Sequence, residues 1–326
     1  MKVCVIGGAG YIGSHAVYEL IRDKHEVVVI DNLSTGDKKF VHKDAKFYLG
    51  DITKENELDK IFKEECRIKP FDVVMHFAAK LIVPESMEMP LEYYHNNVEG
   101  VRLMLKTMVN YNIKNIIFSS TAAVYGNASE EPCTEESLTN PESPYGDSKL
   151  ACEKLIKWVC KRYDMNYCIF RYFNVAGADE SLEIGLLKDN LTHLIPIAVQ
   201  TALGLREKMV VFGEDYDTRD GSCIRDYIHV SDLAKAHVLG AKYIFENNKS
   251  ILCNLGSNKG YTVKEVIKEV EKFMPVNYEI GPRRPGDPAV VLASNQKAKE
   301  ILGWNPIYNL EDMIRTDLEF RKKHSK

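Results

Sequence analysis

Lys2-Val-Cys-Val-Ile6 runs straight into Gly7-Gly-Ala-Gly10-Tyr-Ile-Gly13, and this stretch decides the fold. Residues 2–6 are rich in β-branched apolar side chains and read as a buried strand. The glycines at 7, 10 and 13 let the chain turn tightly and bring its backbone close to a pyrophosphate. Tyr11, Ile12, His15, Ala16, Glu19 and Leu20 then follow at helical spacing. Such a helix points its first N–H groups at the anion. A second strand, Glu26–Ile30, leads into Asp31, 21 residues past Gly10. A carboxylate there accepts hydrogen bonds from a ribose diol and repels a 2′-phosphate, which favours NAD over NADP. A turn that merely needs glycine does not require these features in register.

The same rhythm continues outward. Further β-rich runs lie at Lys46–Leu49, Asp72–Phe77, Asn115–Ser119 and Asn166–Arg171. Between them are helical patterns such as Leu58, Ile61 and Phe62, or Val101, Leu105 and Met108. Continuous apolar strands alternating with helices predict an α/β fold with a doubly wound parallel sheet covered on both faces. After about residue 174 the alternation breaks. Strands become short (Met209–Phe212, Ile251–Leu255, Tyr278–Ile280) and helices start near Ser231, at Thr262 and after Asn309. Thr262-Val-Lys-Glu265 has capping-box spacing, and GPRRPGDP (281–288) cannot be a helix interior. The expected organisation is an NAD-binding domain over 1–174 and a smaller mixed substrate-binding domain over 175–326, with some later elements returning to the first. The ligand then sits at the carboxyl ends of the strands.

Composition narrows the function. The chain has 326 residues, enough to bury a core without disulfides or metal. Its 43 basic and 47 acidic residues give a net charge of −4 with no basic block, which argues against nucleic acid as partner. No apolar run approaches the roughly 18 residues of a membrane span, and the N-terminus enters a glycine loop instead of a cleavable signal. None of the eight cysteines forms a C-x-x-C pair or a zinc spacing, so no metal is expected. Cys4 and Cys168 fall inside apolar strands, consistent with reduced thiols in a cytoplasmic enzyme.

Two strand ends extend the dinucleotide reading. Asp51, in Gly50-Asp51-Ile52, is placed to meet an adenine amino group, and Phe77-Ala78-Ala79 lets the backbone pass close to a dinucleotide; each alone is also ordinary strand-end chemistry. The reactive groups come next. Strand Asn115–Ser119 ends in Ser119-Ser120-Thr121, whose hydroxyls face the cleft. Ser143-Pro-Tyr145-Gly-Asp-Ser-Lys149 opens a helix, with Tyr145 and Lys149 four apart on one face. A free tyrosine has a pKa of about 10, and lowering it by about 3 takes roughly 4 kcal/mol of differential stabilisation. Lys149 and an oxidised nicotinamide are two cations able to favour the phenolate, a general base near neutrality. Thr121 is placed to pass the proton between Tyr145 and a substrate hydroxyl. A Tyr-x-x-x-Lys alone also occurs on ordinary amphipathic helices; the glycine loop and the Ser/Thr strand end upstream favour the catalytic reading.

Together these residues resemble the extended short-chain dehydrogenase/reductase family, and among its members the nucleotide-sugar 4-epimerases. The resemblance is carried by GGAGYIGSH (7–15), DNLSTG (31–36), HFAA (76–79), NNV (96–98), FSSTAAVYG (118–126), SPYGDSK (143–149), RYFNVAGA (171–178), THLIP (192–196), RDYIHVSDLAKAH (225–237), RRPGD (283–287) and LGW (302–304). It implies a resident NAD and interconversion of UDP-galactose and UDP-glucose by transient oxidation at the sugar C4, with Tyr145 taking the 4-hydroxyl proton. It implies cofactor contacts at Gly7, Gly10, Tyr11, Ile12, Gly13, Asp31, Asn32, Asp51, Ile52, Phe77, Ala78, Ala79, Asn96, Tyr145, Lys149 and Phe173. On the substrate side it implies Thr121, Tyr145 and Asn174, a diphosphate clamp from Arg225 and Arg284, Asp287 at the uridine ribose and Phe212 near the uracil. Bidentate guanidinium suits the clamp. The competing readings are an ion pair of Arg225 with Asp226 or Asp232, and a solvated loop charge for Arg284. A homodimer through helices near 90–110 and 144–163 is also implied.

Three positions depart from the family pattern. Thr121 stands where many relatives have Ser, with the hydroxyl kept. Lys80 falls one place before the lysine of some relatives, so no cofactor contact is assigned to it. Val291 matches a pocket position that is a large aromatic in some members, which extends the expected substrates to UDP-GlcNAc and UDP-GalNAc. Rival readings are a 4,6-dehydratase or uronate epimerase, and a non-catalytic NAD-binding regulator. A dehydratase typically carries Asp-Glu after the Ser/Thr, where this chain has Ala122-Ala123, and a regulator has no need of Thr121, Tyr145 and Lys149 together.

Overall fold

The computed structural model describes residues 1–127, 132–187, 191–284 and 287–324. Its first strands are β1 (Lys2–Ile6), β2 (Glu26–Asp31), β3 (Lys46–Leu49), β4 (Val73–His76), β5 (Asn115–Thr121) and β6 (Asn166–Tyr172). Short strands follow: β7 (Asn174–Ala176), β8 (Met209–Phe212), β9 (Ile224–His229), β10 (Ile251–Leu255), β11 (Gly260–Thr262), β12 (Tyr278–Gly281) and β13 (Val290–Val291). The main sheet is parallel in the order β10-β6-β5-β4-β1-β2-β3. The order reverses between β1 and β4, which opens a crevice at their carboxyl ends. This is the doubly wound sheet expected from the alternation.

Side-chain alternation explains the three layers. Val3 and Val5 of β1 face one core with Val17 and Leu20 of α1 (Tyr11–Arg22). Cys4 and Ile6 face the other core with Leu58, Ile61 and Phe62 of α2 (Glu55–Cys66). Both faces are dry, so the strands carry no polar alternation. Two short helices, α3 (Val83–Glu88) and α4 (Pro90–Tyr93), lead through a π-helical turn at Tyr94–Glu99 into α5 (Gly100–Asn110). With α6 (Pro144–Tyr163), α5 covers the α2 face. The remaining helices are α7 (Leu194–Ala202), α8 (Val230–Asn247), α9 (Val263–Glu271), α10 (Gln296–Leu302) and α11 (Leu310–His324).

β10 pairs with β6 as the edge of the main sheet, and α8 packs Leu233, Ala236, Ala241 and Ile244 into the α1 core. The smaller part centres on β9, flanked by β7, β11 and β13, with a separate β8–β12 pair and a core drawn from α7, α9 and α11. β4 is shorter than the expected Asp72–Phe77. Asp72 turns its carboxylate to the Lys2 N–H, and Phe77 and Ala78 both donate to the Ile6 oxygen as the chain crosses β1. The capping box forms, with Thr262 and Glu265 each accepting from the other's N–H. Pro285 and Gly286 of GPRRPGDP lie outside the described residues; Pro282–Arg284 and Asp287–Pro288 are not helical. All eight cysteines are free thiols, with Cys4 and Cys168 fully buried. Among the described residues no helix is long and apolar enough to cross a membrane, and no cluster suits a metal ion.

Candidate active site

A cavity of about 950 Å³ occupies the crevice. Its floor is the glycine loop. Gly7 has φ +81°, and a Cβ there would meet the Ala78 nitrogen at 2.7 Å. A Cβ on Gly13 would meet the Gly7 oxygen at 2.1 Å. No larger residue fits either place, so the first turn of α1 lies open to the cavity beside bare backbone. Asp31 ends β2, is 8% exposed and lines the same cavity. Its carboxylate also accepts from the Ala9 and Leu33 N–H groups, at 2.9 and 2.8 Å, which fixes it against the loop. A glycine cradle with helix N–H groups and one buried carboxylate is the donor and acceptor set a dinucleotide requires.

Gly10, Tyr11, Ile12, Asn32, Ile52, Phe77, Ala78, Ala79, Asn96 and Phe173 line the cavity as well. Asp51 does not. One of its oxygens takes the Asn32 amide at 3.0 Å and the other takes the Thr53 N–H and hydroxyl, so it buttresses the wall from behind.

Thr121, Tyr145 and Lys149 all line the cavity. Thr121 closes β5 and caps the turn that follows, accepting from the Ala123 N–H at 3.2 Å. Tyr145 enters on the first turn of α6, whose start is set by Pro144 and the Ser143 cap. The Thr121 hydroxyl acts on Tyr145 and favours its ionised form. Lys149, one turn later, donates to the Ser119 main-chain oxygen at 2.9 Å and lies over the Phe118 ring. Burial lowers the Lys149 pKa to about 8.

Burial raises the Tyr145 pKa above the ordinary value, and the Thr121 hydrogen bond offsets it only in part. Lys149 turns its ammonium to the Ser119 main-chain oxygen. The phenolate therefore needs a further positive charge in the cavity.

Buried pairing holds this geometry. Glu153, one turn beyond Lys149, takes both arms of Arg171 at 2.9 and 2.6 Å and the Ser120 hydroxyl at 2.5 Å, tying α6 to β5 and β6. Asn97 lies in the π-helical turn and was missed by sequence reasoning. Its oxygen accepts from the Lys80 N–H and the Asn96 amide, and its nitrogen donates to the Lys80 oxygen and the Ser148 hydroxyl. The wide turn lets the neighbouring Asn96 reach the cavity while Asn97 stays buried. Lys80, to which no contact was assigned, also lines the cavity and pairs with Glu85 at 3.2 Å. Only the adjacent Asn96-Asn97 pair could have signalled this joint.

On the opposite wall stand Asn174, Arg225, Asp287 and Val291. Arg225 pairs with neither Asp226 nor Asp232. It reaches across to Asp287 at 2.5 Å. Phe212 and Arg284 do not line the cavity. The Arg284 guanidinium lies 3.8 Å from the Phe212 ring centre, so each covers the other. Tyr172, Leu186, Leu191, Thr192 and His193 also line the cavity; of these, Tyr172 fell in the motif RYFNVAGA and Thr192 and His193 in THLIP.

Comparison with known proteins agrees with this geometry. The family model described as GDP-mannose 4,6 dehydratase matches residues 4–316. The UDP-glucose 4-epimerase of Halalkalibacterium halodurans is 47% identical over 327 residues, covering 99% of this chain and 96% of that protein. A crystal structure of a UDP-glucose 4-epimerase superposes with TM-score 0.97 at 46% identity, covering 100% and 99% of the two chains. The Bifidobacterium longum UDP-glucose 4-epimerase, solved with NAD+ and UDP, gives TM-score 0.91 at 38% identity over 100% and 99%. With that identity sustained from end to end, the chain belongs to the UDP-glucose 4-epimerase family of extended short-chain dehydrogenase/reductases.

Proposed function

We propose that this protein is an NAD-dependent isomerase that interconverts UDP-galactose and UDP-glucose by inverting the sugar C4. The observation that carries the reading is that Thr121, Tyr145 and Lys149 line one cavity together with the glycine loop and Asp31. Gly7, Gly13, the first turn of α1 and Asp31 hold the dinucleotide, with Asn32, Ile52, Phe77–Ala79, Asn96 and Phe173 along it. When bound, NAD would supply a hydride acceptor for C4 and a positive charge that favours the Tyr145 phenolate. Tyr145 then accepts the 4-hydroxyl proton through Thr121 and returns it, while Lys149 keeps the helix and strand in register. Arg225 grips the diphosphate, a task suited to its fork, and Asp287 meets the ribose. Arg284 and Phe212 must part before they serve the nucleotide.

Ala122 and Ala123 line the cavity directly after Thr121. Neither transfers a proton, which favours epimerisation over loss of water from C5 and C6. Val291 leaves room where a large ring would stand, and this supports N-acetylated UDP-sugars as further substrates. A homodimer is supported by the outer face of α5 and α6, where Leu105, Val109, Leu155 and Val159 line a shallow groove beside the 69% exposed Trp158.

The test is incubation of the pure protein with UDP-galactose and no added NAD. Formation of UDP-glucose supports the reading, and a 6-deoxy-4-keto product rejects it in favour of a dehydratase. A rate with UDP-GlcNAc equal to blank removes the N-acetylated substrates. Sedimentation as a monomer at micromolar concentration removes the dimer.

A further inference from the structure

Asp226 is the third residue of β9 and is completely buried. Successive side chains of a strand face opposite sides, so Arg225 points into the cavity and Asp226 away from it. Among the described residues no cation pairs with this carboxylate. One oxygen accepts from the Ser257 N–H at 2.8 Å and the Ser257 hydroxyl at 2.7 Å. The other accepts from the Ala293 N–H at 3.2 Å. Burying a carboxylate without a counter-charge is a costly way to join two loops. Burial accordingly lifts its pKa to about 6, against the pull of those donors.

What the carboxylate joins is specific. Ala293 lies two residues beyond Val291, and β13 places Val291 beside Arg225. The main-chain oxygen of Asp226 accepts from the Asn174 side-chain amide at 2.9 Å. Asn174, Arg225 and Val291 all line the cavity, and Asp226 does not. One buried residue thus holds Asn174 through its carbonyl, the Val291 strand through its side chain, and Arg225 through the adjoining peptide.

We propose that Asp226 is the positioning residue of the nucleotide-sugar half of the site, setting the spacing of Asn174, Arg225 and the Val291 strand without touching the ligand. The proposal rests on the UDP-sugar reading above. A purely structural anion would change stability and leave ligand affinities alone.

The experiment compares wild-type and Asp226→Asn holoenzyme by bound NAD content, kcat and KM for UDP-galactose, and Kd for UDP by calorimetry. The amide keeps the shape but turns an N–H toward the donors of Ser257 or Ala293. The expected result is a rise of about tenfold in KM and in the UDP Kd, with kcat within about twofold and NAD content unchanged. Ser257→Ala, which removes a single donor, is expected to raise both by about threefold, and it decides the matter if Asp226→Asn does not fold. An unchanged UDP Kd, or a rise that follows loss of NAD, overturns the proposal. A wild-type protein that binds UDP but forms no UDP-glucose rejects the epimerase reading, while the UDP Kd still decides the role of Asp226. A wild-type protein that does not bind UDP rejects both.

Discussion

The Lys149 ammonium donates to the main-chain oxygen of Ser119, 2.9 Å away, and among the described residues it forms no ion pair with a carboxylate. Tyr145, one turn earlier on α6, lines the same cavity as Thr121, two residues further along β5. Helix and strand are thus joined through Lys149, and both hydroxyls line the cavity beside the strand end. The arrangement orients the phenol but leaves its ionisation to the rest of the cavity.

Lys149 carries a stability cost. Its pKa is about 8 in the folded protein against 10.5 for the free side chain. The unfolded chain therefore binds the proton more tightly, and stability rises as pH increases from about 8 toward 10.5. Below pH 8 the penalty is complete. Lys149→Met should stabilise the NAD-free protein by about 1–2 kcal/mol at pH 7 while removing most activity. Urea unfolding at pH 7 and pH 10 checks this: the variant should lose the alkaline gain that the wild type shows.

Tyr145→Phe removes the proton acceptor and keeps the ring. We expect kcat to fall by about 10²–10⁴ with bound NAD unchanged. Thr121→Ser should stay close to wild type and Thr121→Ala should lose about tenfold, because only the hydroxyl enters the relay. Steady-state assays with UDP-galactose separate these outcomes. Equal losses for Ser and Ala would point to the threonine methyl instead.

Arg225 faces Asp287 across the cavity at 2.5 Å. A lysine can keep the charge but not the bidentate fork. Arg225→Lys should raise KM for UDP-galactose by about tenfold and leave NAD retention intact. Calorimetry with UDP gives an independent check, and an unchanged Kd would remove Arg225 from the diphosphate role.

Asn97 uses all four hydrogen-bonding positions of its amide while 2% exposed. Asn97→Leu leaves the Lys80 N–H and carbonyl without partners. The expected cost is about 2–4 kcal/mol, read as a lower urea midpoint. A loss under about 0.5 kcal/mol would mean that water or a shifted loop replaces the amide.

Much of the site was legible because its chemistry is local. Gly7 and Gly13 are dictated by close backbone approach within a few residues, Asp31 by the length of one strand–helix–strand unit, and Thr262–Glu265 by a single helical turn. Lys80 and Asn97 were not legible. They come together through a helix whose turn widens at that point, and no spacing rule for a regular helix predicts it. The Asp287 partner of Arg225 stands 62 residues away and was likewise out of reach of local pattern.

The sequence by itself determined the parallel sheet, the dinucleotide end and the Thr121–Tyr145–Lys149 set, since apolar periodicity and glycine placement act over one or two elements. Tertiary structure alone decided that β10 closes the main sheet, that Arg284 covers Phe212, and that burial raises the Tyr145 pKa. Those outcomes depend on which distant groups exclude water from one another, and that is fixed only when the chain packs.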